Sequence, residues 1–389
     1  MIRIGDQYLS VNKILLLTIG LWPYHQSTFT TFQYIIIFII LIGLIIFQLT
    51  TFLTLNCTTE LFVKVLSSTS LFVVYIINYI TFRCNIENVK DLLMHLQHIH
   101  NKLKDKNEIA IIKKYDYIAK CYTVILLTLG LSGIFVGVII QYWTIIVVIA
   151  LPANESRSYY LIFMMEYFID QEKYLYLILM HLGVAVSVGM IIILGCNTTL
   201  LACIHHNCGL FRIASYRLEH AININIRQKI TFENMILMTE GVIYAVDIHR
   251  QAIKLNKHLM SIFEIMLMCF LLCFVACLSL NLFQVIMSEN IINVIIPIGC
   301  VLVCITFMFF CNFLGQIVTD HNNCVFTTAY NVQWYKTPLH IQRMILFLLQ
   351  TGIKELYLNV GGVFDASIEG FATLIKASIS YFTVIYSIQ

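Results

Sequence analysis

Seven stretches of this sequence are long and apolar enough to cross a lipid bilayer, and that leaves the chain few ways to fold. They run over about 33–54, 65–82, 121–151, 174–202, 262–286, 291–313 and 363–388. A hydrocarbon core of about 30 Å takes about 20 residues of helix. Inside it each backbone N–H and C=O must be satisfied within the segment, which favours helices. Composition agrees, with 59% hydrophobic and 12% charged residues. A typical soluble chain is about 45–50% apolar and about 25% charged. Such a surplus excludes a single water-soluble core, a disordered chain and a secreted disulfide scaffold. A net charge of +3 gives no basic field for nucleic acid. The expected fold class is an all-α polytopic membrane protein, one seven-helix membrane domain over residues 1–389.

Two runs have distinctive edges. The second carries Asn78 and continues past Arg83 into a segment where Val89, Leu92, Leu93, Leu96, Ile99 and Leu103 fall at helical spacing. That segment either lies on the membrane surface or forms a stalk packed on its neighbours. The third run exceeds what a bilayer needs, so it tilts or projects. Residues 1–32 hold Lys13 before an apolar stretch from Ile14 to Trp22, but Trp22-Pro23 is no small-x-small cleavage site. They read as an N-terminal segment on the cytoplasmic side.

Orientation follows from charge. Lys and Arg concentrate in cytoplasmic loops. Of the 24, twenty fall in 1–32, 83–120, 203–261 and 314–362. Three, Lys64, Arg157 and Lys173, fall on the opposite side, and Lys376 lies within the last run. The N-terminus is therefore expected in the cytoplasm and the C-terminus outside. Two glycosylation sequons, at Asn56 and Asn154, fall in expected outer loops. Of 13 cysteines only Cys57 falls in an outer loop, which argues against a disulfide framework.

This orientation is the reverse of a G-protein-coupled receptor, whose Asp/Glu-Arg-Tyr and Asn-Pro-x-x-Tyr boxes are also absent. No Gly-x-Ser-x-Gly elbow, His-Glu-x-x-His pair or phosphate-cradling glycine loop is present, so no enzyme and no cofactor is expected. Cys203, His205, His206 and Cys208 are metal-ligand types at a spacing that matches no established site, and no metal is expected.

The C-terminal region carries a resemblance. Ala329-Tyr330, Trp334-Tyr335, Arg343 with an apolar run to Gln350, Gly361-Gly362, Ser367 to Leu374 and Ser380 to Tyr386 are similar to the closing region of insect odorant receptors, in the style of ants, bees and wasps. Gly20-Leu21-Trp22-Pro23 is similar to that family's N-terminal segment. Ile379 departs from a common Tyr, and Ile353-Lys354-Glu355 from a common Lys-Pro stretch. Insect gustatory receptors share the inverted plan but close on a Thr-Tyr…Gln-Phe pattern. A metabotropic seven-helix receptor is the remaining alternative.

The resemblance implies an odour-binding subunit of a ligand-gated, non-selective cation channel in the plasma membrane of an olfactory neuron dendrite. Its implied partners are a small volatile apolar ligand, a shared co-receptor in a heterotetramer, and membrane lipid. It implies a ligand pocket among the outer halves of the helices, a pore lined by the last helix, and a common cytoplasmic anchor. By position Val384 and Ile388 match the family's hydrophobic gate and Ser387 its polar filter. Spacing adds that Val384 and Ile388 share a helix face, and that Glu369, Thr373, Lys376 and Ser380 continue a polar stripe begun by Asp365. That stripe faces a water-filled path or pairs with neighbours, since charge in lipid is costly. For an aromatic-lined pocket the candidates are Phe72 and Tyr75 on the second run, Phe135, Ile139, Tyr142 and Trp143 on the third, and Met180 and Val184 on the fourth. Residues 203–261 and 314–352 are the expected anchor, with Tyr330, Trp334 and Tyr335 as its contact side chains. Glu60, Glu155, Glu166, Asp170, Glu172 and Glu289 give the outer loops an acidic excess.

Overall fold

The computed structural model describes residues 9–387 apart from 56, 151–162, 171–172, 227–231, 289–290 and 353–355, and gives only the backbone of 141–150, 223–226 and 291–293. Its helices, in chain order, are α1 (Ser10–Thr18), α2 (Thr28–Leu49), α3 (Thr51–Thr54), α4 (Thr59–Cys84), α5 (Ile86–Lys102), α6 (Lys106–Ala150), α7 (Leu175–Ile226), α8 (Phe232–Met287), α9 (Ile291–Asn331), α10 (Leu339–Thr351) and α11 (Ile368–Ser387). A two-stranded antiparallel hairpin, β1 (Leu358–Val360) and β2 (Phe364–Ala366), precedes α11. Among the described residues seven helical segments are long and apolar enough to span a bilayer.

Helix starts follow local chemistry. Ser27 caps α2 through a reciprocal box: its hydroxyl accepts from Thr30 N–H, and Thr30 Oγ1 accepts from Ser27 N–H. Thr58 caps α4 by accepting from Leu61 N–H at 3.2 Å. The N-terminal segment is docked rather than trailing. Asn12 donates to Thr198 Oγ1 at 2.9 Å, Tyr79 OH donates to Ile19 O at 2.9 Å, and Gly20 turns the chain with φ +72°.

The expected polar connections are largely helical. At about 1.5 Å per residue, the 52 residues of α7 and 56 of α8 extend about 78 and 84 Å. A bilayer core accounts for about 30 Å of that. Each therefore projects far beyond it at the end we call the stem; the other end, where α4, α7 and α9 begin and α8 and α11 finish, is the mouth. A second buried cluster fills the stem, where Leu218 and Ile222 meet Met238, Val242, Val332, Ile341 and Ile345. Glu108 and Arg217 tie α6 to α7 there through a bidentate pair, with Nη2 to Oε2 at 2.9 Å. The segment after Arg83 resolves as a packed stalk: Val89, Leu92, Leu93, Leu96, Ile99 and Leu103 are all buried.

The start of the last helix differs from the sequence expectation. The last helix starts at Ile368, not near 363, and Asp365 lies on β2, where it accepts from Asn359 Nδ2 at 2.6 Å. The cause is Gly361-Gly362, with φ of +67° and +69°, a turn that only glycine makes without strain. Leu358 and Val360 then point inward and Asn359 outward, the period of a strand. The hairpin packs so close to α9 that a Cβ on Gly315 would lie 2.2 Å from Ala366 O.

Candidate ligand cluster and pore helix

A cluster of rings joins α2, α4, α7 and residues 163–170 near the mouth. Phe72 of α4 meets Phe163 edge-on at 5.2 Å and Tyr75 at 5.9 Å. Phe47 of α2 stacks on Tyr167 at 4.2 Å, and Tyr167 stands edge-on to His181 of α7. Edge-on and offset contacts are the favoured geometries for rings. Tyr75 lies directly on the α7 backbone, since a Cβ on Gly189 would come within 2.2 Å of its ring.

Residues 163–170 reach this depth because their main chain is clamped. Glu166 N–H donates to Phe47 O, and Thr50 Oγ1 donates to Glu166 O, both at 2.8 Å. The end of α2 has unpaired carbonyls to offer, and Glu166 uses one of them. Its side chain accepts from Phe168 N–H, which supports Phe168 at φ +54°. Met165 is buried beneath.

One polar pair sits among the rings. Tyr167 OH lies 2.8 Å from His181 Nδ1. In the tautomer with its proton on Nε2, Nδ1 accepts and the Tyr167 phenol donates. Burial pushes that phenol up to about 12, so it stays protonated at every physiological pH. Its oxygen lone pairs remain available to accept.

The face of α11 divides cleanly. Leu374 and Ser378 are buried against the bundle, and Phe382 and Ile385 pack on Val63, Leu280 and Phe283. Glu369, Thr373, Lys376, Ser380, Val384 and Ser387 are all exposed on the remaining surface. The start of α11 is held by three acceptors. Ser367 Oγ accepts from Gly370 N–H at 3.0 Å, Asn312 Oδ1 from Ser367 N–H at 3.3 Å, and Gln316 Oε1 from Ile368 N–H at 3.4 Å.

A cavity of about 20 Å³ lies toward the stem, lined by Leu9, Leu96, Asp116, Ala119, Ala202, Cys203 and His206. It has room for a water and not for a ligand, whose pockets are about 300 Å³ and larger. His206 there bonds Asp116 at 3.0 Å while His205 turns to Leu201 O and Tyr122. The Cys203 to Cys208 cluster thus faces different partners, and among the described residues no group of three metal-ligating side chains converges.

The sequence profile of the 7tm Odorant receptor family matches residues 58–379. The chain belongs to that family. No curated protein matches it by sequence. Among solved structures, the insect olfactory receptor OR5 from Machilis hrabei in complex with eugenol has a TM-score of 0.79 at 12% identity, covering 99% of this chain and 98% of that one. A second structure of the same receptor has a TM-score of 0.74 at 14% identity, with the same coverage. The shared fold is that of insect olfactory receptors, and this odorant receptor family member is a multi-pass membrane protein.

The receptor brings together only part of the expected pocket. Phe72 and Tyr75 are buried in the cluster. Phe135, 67% exposed, and Ile139 face outward on α6, as do Met180, 64% exposed, and Val184 on α7. On α7 the inward face carries His181, Ala185 and Gly189; Met180 and Val184 sit one residue, about 100°, away. The side chains of Tyr142 and Trp143 lie outside the described residues, as do Ile388, Asn56 and Asn154. Val384, 52% exposed, and Ser387 occupy the free face of α11. Tyr330 and Tyr335 are exposed at the stem, while Trp334 packs on the stem core. The sequence reading missed Phe47, Phe163, Tyr167 and His181. One signal was available for two of them, Phe163 and Tyr167: Phe163 to Phe168 is an unusually apolar, aromatic stretch for a solvated loop.

Proposed function

We propose that this receptor is the odour-binding subunit of a ligand-gated cation channel, formed with a shared co-receptor in the plasma membrane, with α11 as its pore-lining helix. One observation carries the reading. The ring cluster is built partly on α4, through Phe72 and Tyr75, and both α4 and α11, with its polar free face, pack on α8. A ligand that spreads the rings acts on α4 directly, and α4 contacts α8 through Ser67, whose Oγ accepts from Gln284 Nε2 at 2.9 Å. Such a ligand biases the pore only through its different affinity for the two arrangements.

The ligand class follows from the cluster. Aromatic and aliphatic walls suit a small apolar molecule, and the Tyr167 oxygen suits one bearing a single hydroxyl donor. Eugenol, held by the Machilis hrabei receptor, is of that kind. The charge asymmetry of the loops supports an N-terminus in the cytoplasm and a C-terminus outside. Val384 and Ser387 then stand at the outer end of the pore.

The test is co-expression with an odorant co-receptor, followed by a panel of small alcohols, phenols and their ethers under voltage clamp with G-protein signalling blocked. Fast odour-evoked cation currents are expected to persist. Responses abolished by the block would favour a metabotropic receptor instead.

A further inference from the structure

We infer that Ser279 is a positioning residue for the pore helix, holding α11 against α8 through a hydroxyl proton that has two places to go. This rests on the channel reading above. Ser279 is buried, and its Oγ lies 2.8 Å from Val275 O on its own helix and 2.9 Å from Ser378 O on α11. A serine hydroxyl has one proton. It can bond back into α8, or across to α11, or be shared between them.

The place of this contact gives it leverage. Leu374 and Ser378 are the buried residues of α11, one turn apart on the face that seats it on the bundle. Ser378 is small, which lets the α11 backbone approach α8, and its own hydroxyl is engaged with Leu374 O at 2.9 Å. Its contribution to the contact is therefore a main-chain carbonyl, which no side-chain substitution at 378 removes. Ser279 and Ser378 are both buried, so water does not compete. A carbonyl oxygen has two lone pairs; that of Ser378 keeps its helical bond when Ser279 turns away. Neither position of the proton strands a buried polar group. Two arrangements of near-equal energy at a helix contact are what a gating element needs.

Direction follows from the faces of α11. Its seated face carries Ser378, and its free face carries Val384 and Ser387. If the free face lines the axis, drawing α11 onto α8 moves it away from the axis and widens the pore. The bond to Ser378 O then favours the conducting arrangement, and the bond back to Val275 O releases it.

The experiment measures odour dose–response and current without odour in cells co-expressing the co-receptor, with surface labelling as the control for folding. S279A is expected to raise the half-activating concentration about two- to tenfold, the worth of one neutral hydrogen bond. The shift should be equal for every odour, since Ser279 touches none of the ring cluster, and the current without odour should fall. S279T keeps a hydroxyl and is expected to restore the wild-type curve. S378A leaves the carbonyl in place and is expected to behave as wild type. If S279A does not reach the surface, S279C, isosteric with a weaker donor, carries the comparison, and an upward shift is expected. A wild-type curve for S279A or S279C, a downward shift, or failure of S279T to restore would overturn the role of Ser279 while leaving the channel reading intact. Absence of any odour-gated current in the wild type would instead overturn the channel reading, and this inference with it.

Discussion

Tyr167 shows how much one hydroxyl decides in an apolar site. Its proton satisfies His181 Nδ1, and its oxygen, beside Phe47, is the polar handle proposed for the ligand. Tyr167→Phe removes both functions and leaves Nδ1 buried without its donor, a cost of about 1–3 kcal/mol. Odours with a hydroxyl are expected to lose about tenfold in potency, while their methyl ethers change little. A dose–response comparison of each alcohol with its ether decides it, and equal losses for both would remove Tyr167 as the handle. Titration does not complicate the test. The raised phenol pKa stabilises the fold below about pH 10 and is lost only as pH rises through about 12.

At the scale of elements, α11 depends on caps as much as on its apolar face. Ser367 is the local cap, and Asn312 and Gln316 reach it from α9. Ser367→Ala is expected to destabilise the first turn by about 1 kcal/mol. Amide hydrogen exchange in a peptide covering 367–374 should then quicken about fivefold, with the rest of the chain unchanged; an unaltered rate would mean the α9 acceptors suffice. The seven spans were legible because length and apolarity suffice to mark them. The hairpin before α11 was not, because Val363, Phe364 and Ala366 are apolar and read as an early start to the span. Its period of two and its paired glycines were the signal. Phe135 and Met180 were unreadable for a different reason. In a membrane helix the lipid-facing and protein-facing sides are equally apolar, so spacing that marks a buried face in a soluble protein marks either one here. Tyr167 and Phe163 escaped because a loop was assumed to be solvated, whereas its main chain bonds to α2.

For the whole molecule, the projecting halves of α7 and α8 build a stem with its own core. Yet that core leaves large apolar side chains outside. Leu346 is 66% and Phe347 69% exposed on α10, beside exposed Tyr330, Tyr335 and Leu339. A soluble monomer rarely carries so contiguous an apolar patch. The stem also lies beyond the bilayer core by the length of its helices, so lipid does not account for the patch. The proposed channel supplies an occupant, a second subunit, since a single α11 would not enclose a path. On α10 the buried stripe is Ile341, Ile345 and Leu348, so residues 346 and 347 point away from the stem core. Replacing Leu346 and Phe347 together by Asp should therefore spare the fold of the chain and disrupt the contact. Desolvating two unpaired carboxylates in an interface costs several kcal/mol, enough to lower association about a thousandfold or more. Co-purification of the co-receptor is expected to be lost and odour-evoked current with it, while the elution of the solubilised single subunit stays unchanged. Retention of the co-receptor by the doubly substituted chain would mean that the stem patch is covered in some other way, and that assembly is carried by the membrane-spanning helices.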